Sequence, residues 1–372
     1  MKKTIIFILV LFIALTSLSA TFSDTSTTDL FRNTKPFLTS REYRIEHGLF
    51  ENPATLAGGK FQISIPVSVT AYNAGKNLQG ISASSVKNMA LEYAKNMIAN
   101  IPSGDSVLAN ANAGFFLGVK DFAFGLYASV DADARRAKNN DVTVTPVADA
   151  GLAIGYARRV IDSNVTLDLG LSAHADVSAF WDYKINSSDL ENFKFSKAIF
   201  TSITDIYGYA SVDAGATVGF FDGKLKLNIA ANNIVIGGYH RYDTSSKKFE
   251  KVSKDKFEDP FELSAGALFT LEGQIAKLGL SADIVDILGF DFKNFKAKDI
   301  LGHLDLRATA SLWKAFKVSA ALCEGDLELG AGINVYGNEI DAVFKVVEMT
   351  ETLGQKPSGT LTLKCRIGFD NN

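Results

Sequence analysis

The sequence predicts an all-β fold, a transmembrane antiparallel up-and-down β-barrel of about 14 strands. Three observations carry that reading. Apolar and polar residues alternate with period two through most of the chain, the signature of strands with one dry and one wet face. The connections between these runs are mostly long and short by turns, which sorts them to opposite ends of one sheet. The N-terminus reads as an export leader, and no later stretch approaches a membrane-spanning helix.

Residues 1–20 begin with Lys2 and Lys3, continue through the apolar run Ile5–Leu15, and end in small residues at Ser17, Ser19 and Ala20. That run is too short to span a bilayer comfortably, so the expectation is a cleaved signal peptide. Residues 21–59 show no strand pattern, leaving 60–369 for the barrel. Lys60–Ala71 then alternates, with Phe61, Ile63, Ile65, Val67 and Val69 on one face. In Ser84–Ala99 the apolar spacing turns helical, which predicts one short amphipathic helix in the first long loop.

The next runs are Val107–Val119, Phe122–Ala134, Val147–Arg158 and Val165–Tyr183. The last of these is the longest: Val165, Leu167, Leu169, Leu171, Ala173, Ala175 and Val177 oppose Thr166, Asp168, Ser172, His174, Asp176 and Ser178. Ile206–Phe220 and Lys224–Ile234 flank an Asp222-Gly223 hairpin turn. Phe261–Glu272, Ala276–Asp286, Gly302–Trp313, Phe316–Cys323, Leu327–Tyr336 and Ile340–Val347 follow. Thr360–Phe369 ends the set, with Leu361, Leu363, Cys365 and Ile367 against Thr362, Lys364 and Arg366. It is expected to close the barrel by pairing with Lys60–Ala71, which removes both sheet edges. A soluble sandwich would also hide an apolar face, but it has no reason to sort its loops by length. The even strand count places both termini on the periplasmic side.

Composition narrows the function. At 372 residues, 47% apolar and 21% charged, the chain can bury surface, and its net charge of −3 gives no nucleic-acid signal. No P-loop, nucleophile elbow, HExxH or CxxC is present, so neither an enzyme nor a cofactor is expected. Cys323 and Cys365 fall on opposite faces of strands that are not neighbours, so both are read as free thiols. The polar face should line the lumen. Its candidate residues are Asp168, His174, Asp176, Asp213, Asp283, His303, Asp305, Arg307, Lys364 and Arg366. His174 with Asp168 and Asp176 has spacing that a metal could use, but reads as a hydrated lumen network, and no metal site is assigned. The mixed-charge run Ser245–Asp259 reads as a solvated external loop.

Residues 48–57, GLFENPATLA, stand directly before the first strand and are similar to the Asn-Pro-Ala motif of the FadL-like outer-membrane superfamily. The segment KFQISIP and the later LGLSADIVDIL and HLDLRATASL resemble most the branch of conjugal-transfer (TraF-like) outer-membrane proteins. The resemblance implies that residues 21–59 form an N-terminal plug segment, with Asn52, Pro53 and Ala54 in it, inside a 14-stranded barrel of the bacterial outer membrane. It implies passive transport of small hydrophobic or amphipathic, fatty-acid-like molecules. The alternative is a non-conducting structural, assembly or secretion-associated protein that binds an outer-membrane or periplasmic protein partner. Membrane lipid is a partner on either reading.

Overall fold

The computed structural model describes residues 44–72, 106–136, 141–181, 183–185, 203–243, 248–251, 261–289, 300, 303–313, 315–323, 326–335, 338–348 and 357–370. The expected signal peptide, the first part of the plug and the helix expected at 84–99 lie outside these residues.

Fourteen strands form one closed antiparallel barrel. They are β1 (Gln62–Tyr72), β2 (Ser106–Val119), β3 (Phe122–Arg136), β4 (Val142–Asp162), β5 (Val165–Trp181), β6 (Ile203–Phe220) and β7 (Leu225–Asp243). They continue as β8 (Glu262–Glu272), β9 (Ala276–Ile284), β10 (Leu304–Leu312), β11 (Phe316–Cys323), β12 (Asp326–Val335), β13 (Asn338–Glu348) and β14 (Pro357–Asp370). Each pairs with its sequence neighbours, and β14 closes on β1 with Gln62 opposite Asp370 and Thr70 opposite Thr362. The closing strand is the one its alternation predicted. Two short strands, Tyr183–Ile185 on β4 and Lys248–Lys251 on β7, extend the wall at the long-loop end.

The pleat sorts the side chains as the alternation requires. On β5, Leu169, Leu171 and Val177 are exposed, at 45%, 59% and 50%, while Asp168, Ser172, His174 and Asp176 are buried. The same inversion runs round the barrel, with Leu280, Leu329, Phe344 and Leu363 outside and Arg307, Glu328, Asp341 and Lys364 inside. A soluble protein would place these the other way round, because burying charge and exposing leucine both cost free energy. The arrangement is stable when the outer face meets lipid and the inner face holds water and its own ion pairs. No helix among the described residues is long and apolar enough to cross a membrane.

The short-turn rim carries an aromatic belt. Phe61, Phe122, Tyr156, Phe221, Trp313 and Phe316 are all exposed there, and Trp313 meets Phe316 edge-on at 6.4 Å. Such a girdle marks a membrane–water interface. At this end the connections are 120–121, 163–164, 221–224, 273–275, 313–315 and 336–337. The Asp222-Gly223 hairpin turn expected from sequence is wider: Phe221, Asp222 and Gly223 all have positive φ (54°, 58° and 78°) within a four-residue turn.

Two loop expectations are corrected. The strand expected at Lys224–Ile234 runs on to Asp243 and pairs with Lys248–Lys251, which lies within the run Ser245–Asp259 expected as a loop. Residues 135–146 were expected as a long loop, but β3 and β4 run on to Arg136 and from Val142. At 21 residues β4 far exceeds the roughly 9–11 that a tilted membrane strand needs, so this wall stands proud of the bilayer.

The outer face gives a direct prediction. Leu329 lies midway along β12 and is 50% exposed. Leu329→Arg is expected to destabilise the folded barrel by about 2–4 kcal/mol, read as a lowered denaturant midpoint in lipid vesicles. An unchanged midpoint would mean that this face does not contact lipid.

Candidate functional site

Residues 44–57 form a stopper inside the short-turn half of the barrel. Helix α1 (Arg44–Phe50) is followed by a turn and a single 3-10 turn at Pro53–Leu56. The Asn-Pro-Ala run explains the second element. Asn52 is extended (φ −140°, ψ 99°) and its side-chain oxygen accepts from Ala54 N at 3.0 Å, an N-cap. Pro53 follows at the first position, where its missing N–H costs nothing. Ala54 is fully buried and leaves the element thin enough to lie against the wall.

The wall is hollowed to receive it. Gly170 on β5 and Gly215 on β6 both face inward between buried neighbours. A Cβ on Gly170 would overlap the Pro53 carbonyl carbon and the Ala54 nitrogen, and one on Gly215 would overlap the Asn52 side-chain oxygen. Glycine is needed at Gly170 because backbone meets backbone there, and at Gly215 because the capping Asn52 side chain lies directly on the strand. Asn52 Nδ2 donates to Ala216 O and Thr217 Oγ1, both at 3.4 Å, and Ser172 Oγ donates to Leu49 O at 2.9 Å.

On its other side the stopper is apolar. Ile45, Leu49, Phe50, Leu56 and Ala57 pack on Phe116, Ala123, Tyr127, Ala153 and Ala157 of β2–β4. Phe50 meets Tyr127 edge-to-face at 5.0 Å and Phe116 at 6.0 Å. The interior wall of β2–β4 is therefore greasy beneath the stopper, although the barrel interior is otherwise polar.

Next to Phe50 lies a polar network. His174 Nε2 is 2.8 Å from Asp213 Oδ2, and its Nδ1 is 2.8 Å from Ser211 Oγ and 3.6 Å from Asp176 Oδ2. Tyr127 OH donates to Asp176, and Asn233 N donates to Asp213 Oδ1 at 2.8 Å. That N–H turns to a side chain where the β6–β7 ladder shifts register and Asn233 adopts φ 59°. Ser211, His174 and Asp213 have the spacing of a nucleophile, base and orienting acid. However, Asp176 shares the imidazole nitrogen that faces Ser211, and Ser211 is 1% exposed, so an acyl group has no approach. The cluster works as a clamp that ties β3, β5 and β6 beside the stopper.

The far wall is ionic. Arg307 Nε lies 2.7 Å from Asp305 Oδ1, and Lys345 Nζ lies 3.1 Å from Asp326 and 3.4 Å from Glu328. Glu339 binds Lys317 and lies 3.5 Å from Arg366 Nε, while Asn334 Nδ2 donates to it at 3.0 Å. Lys364 stands opposite Asp341 across the β13–β14 ladder and Arg366 opposite Glu339.

The ten lumen residues singled out from sequence therefore divide into groups. His174, Asp176 and Asp213 form one cluster; Asp305, Arg307, Lys364 and Arg366 belong to the ionic wall. Asp168 stands apart near the short-turn rim, paired with Arg159 at 2.8 Å. Asp283 is half-buried and borders a cavity with Asp305 and Arg307. His303 lies just before β10, and its ring contacts the Val285 carbonyl at 3.1 Å, so it ties two connections together rather than extending the Asp305–Arg307 row. Glu328, Glu339, Asp341 and Lys345 were not singled out, although their place on the inner parity was readable. Ser211 and Asn233 gave no sequence signal. Cys323 is buried, Cys365 is exposed, and both are free.

Between the stopper and β7–β10 lies a cavity of ≈ 100 Å³. His47, Glu51 and Asn52 of the stopper form one side, with Asn232, Glu262 and Asp283 among the wall residues opposite. Fold and site together define a membrane-spanning β-barrel whose largely polar lumen holds residues 44–57 packed against its wall.

No protein-family model matches the chain, and no curated protein sequence matches it. Among solved structures it is similar to a Pseudomonas aeruginosa FadL homologue, at 12% identity over 95% of this chain and 100% of that one, with a TM-score of 0.47. It is similar also to the Pseudomonas putida toluene transporter TodX, at 8% identity, 87% and 92% coverage and a TM-score of 0.41. The translocator domain of the autotransporter NalP from Neisseria meningitidis is a third, at 9% identity, 93% and 100% coverage and a TM-score of 0.33.

Proposed function

We propose that the chain is exported with a cleaved signal peptide and sits in the bacterial outer membrane as a passive, plugged channel for small hydrophobic or amphipathic molecules. Residues 21–59 act as its plug, with Asn52, Pro53 and Ala54 at the seat, and 60–369 form the barrel. The observation that carries this is the two-sided lumen. The β2–β4 wall beneath the stopper is apolar, while the cavity on the opposite side is polar. When the stopper withdraws, Phe116, Tyr127 and the alanines beside them become a track for an apolar moiety, and the facing groups hydrate a polar one. The FadL-like resemblance of GLFENPATLA supports the same reading, and its conjugal-transfer variant rests on that sequence likeness alone.

The test is bilayer conductance and uptake of a labelled short amphipath, comparing the intact chain with one lacking residues 44–57. Passage that appears or rises on removal supports the channel; silence in both refutes it. The ionic cross-linking of β10–β14 favours the second reading, a non-conducting barrel that anchors a protein partner, and silence in both would be its expected result.

A further inference from the structure

Pro66 sits in the middle of β1, a strand paired on both sides, where a proline removes a ladder hydrogen bond. The register shows which ladder loses it. Toward β14 every residue from Gln62 to Tyr72 has its partner, Pro66 with Arg366 included. Toward β2, Ser64 pairs with Phe116 and Val67 with Ala113, but Ile65 and Pro66 between them pair with nothing on β2. In an antiparallel ladder a bonded pair exchanges two N–H···O bonds and frames the pair beside it, so one lost N–H cancels two successive pairs. The N–H that Pro66 lacks therefore opens the pairing opposite Gly114. Proline is ordinarily kept to sheet edges, strand starts and bulges, and a closed barrel has no edge to offer.

Helix α1 lies across this gap from inside the lumen. On the β1 side Ser64 Oγ donates to Glu46 Oε1, and both residues are buried. On the β2 side the Phe116 ring folds back over Gly114, where an added Cβ would overlap it, and Phe50 meets that ring edge-on at 6.0 Å. Ile45 packs against Gly118, with its Cδ1 3.0 Å from the position a Cβ would take. The Glu46 carboxylate also attracts Lys364 of β14, the residue opposite Ser68 across the closing ladder. The two edges of the gap are held differently. At one edge the strands link directly, since Asn112 Nδ2 donates to Ser68 Oγ at 3.1 Å. At the other edge Ser64 stands opposite a phenylalanine, and the connection runs through Glu46 and Phe50 of α1.

We propose that α1 is an internal clasp, which holds the β1–β2 wall together across the Pro66 interruption as well as occupying the lumen. Glu46 is its anchoring residue. A buried hydrogen bond to a carboxylate is stronger than one between neutral groups, and this one acts on a strand that is short of a ladder bond. Seating of the stopper and integrity of this wall are then one coupled state, and loosening either weakens the other. The clasp goes beyond the channel reading and does not depend on whether any solute passes.

The experiment is amide hydrogen exchange on the full chain folded in detergent, resolved by peptide mass. Glu46→Ala is expected to speed exchange in 63–68 and 112–118 about tenfold or more, while 305–311 and 327–333 on the far wall keep their rates. Pro66→Val returns an N–H to the ladder, so Glu46→Ala in that background should speed exchange only about threefold or less. Ser64→Ala removes the same bond from the wall side and should act in the same two segments, which keeps the test open if Glu46→Ala does not fold. Unchanged exchange in the folded Glu46 or Ser64 variant, a rise spread evenly over the whole barrel, or a tenfold effect that persists beside Pro66→Val would each overturn the clasp. If exchange rises as expected while the chain lacking 44–57 is silent in a bilayer, the clasp stands and passage falls. If that chain conducts while exchange is unchanged, passage stands and the clasp falls.

Discussion

Gly170→Leu is expected to unseat the stopper and raise solute permeability through the barrel about tenfold or more. Gly170 lies on β5 between Asp168 and Ser172, and the Pro53–Ala54 peptide rests directly on it. One side of the contact is the backbone of a strand paired on both edges, and the other is the backbone of a capped turn, so neither can yield as a flexible side chain would. Overpacking of this kind costs about 1–3 kcal/mol, and 1.4 kcal/mol is a tenfold change in the seated-to-unseated ratio. The hydrogen bonds from Asn52 and Ser172 and the burial of Leu49 and Phe50 oppose release. The measurement is the swelling rate of liposomes carrying the variant in a small-sugar gradient. Leu171→Ala, one residue along and facing outward, is the control and should leave the rate unchanged. A Gly170→Leu rate equal to that of the unaltered barrel would mean that the lumen is closed by something other than this contact.

Glu339→Ala should have the largest effect on stability. Glu339 is 1% exposed and is shared by Lys317, Arg366 and Asn334 on three strands. Removing it leaves two buried cations near one another with their shared counter-charge gone, a loss of about 3–5 kcal/mol for a buried pair broken on one side. Glu339→Gln should cost less, because the amide oxygen still accepts from Asn334 or Lys317. The check is the urea midpoint of the folded, heat-modifiable form for both variants and the unaltered chain. Equal midpoints for all three would show that lumen water replaces the carboxylate at no cost, and the ionic wall would then be a lining rather than a brace.

The barrel itself was legible because its physics is local. Period-two alternation needs only neighbouring residues, and it located all fourteen strands, their faces and the closing pair β1–β14. It also placed Lys364 and Arg366 inside and Cys365 outside. The same parity held Glu328, Glu339 and Asp341, which a stricter application would have added to the lumen set. What alternation cannot give is register across a long connection. His174 meets Asp213 from 39 positions away, through a loop whose length says nothing of how β5 and β6 align. The Asn233 irregularity that turns its N–H toward Asp213 left no mark in the residue pattern. The turn of the Asn-Pro-Ala segment was readable from its capping chemistry. Its seat on Gly170 and Gly215 was not, since a glycine in a strand pattern signals close approach without naming what approaches. The outer end of β4 was missed although Val142, Val144 and Pro146 alternate with Thr143 and Thr145, whereas β3 runs on through Arg135 and Arg136 and β7 through His240, Arg241 and Asp243, where the apolar alternation stops.

The central claim is that a membrane-spanning barrel with a polar lumen is closed from within by residues 44–57. Single-channel recording in planar bilayers tests it most directly, with the intact chain and the chain lacking 44–57 each confirmed as folded by heat-shifted mobility. The shortened chain is predicted to give discrete conducting events while the intact chain stays closed or opens rarely. Indistinguishable records from the two chains, open or silent alike, would contradict it.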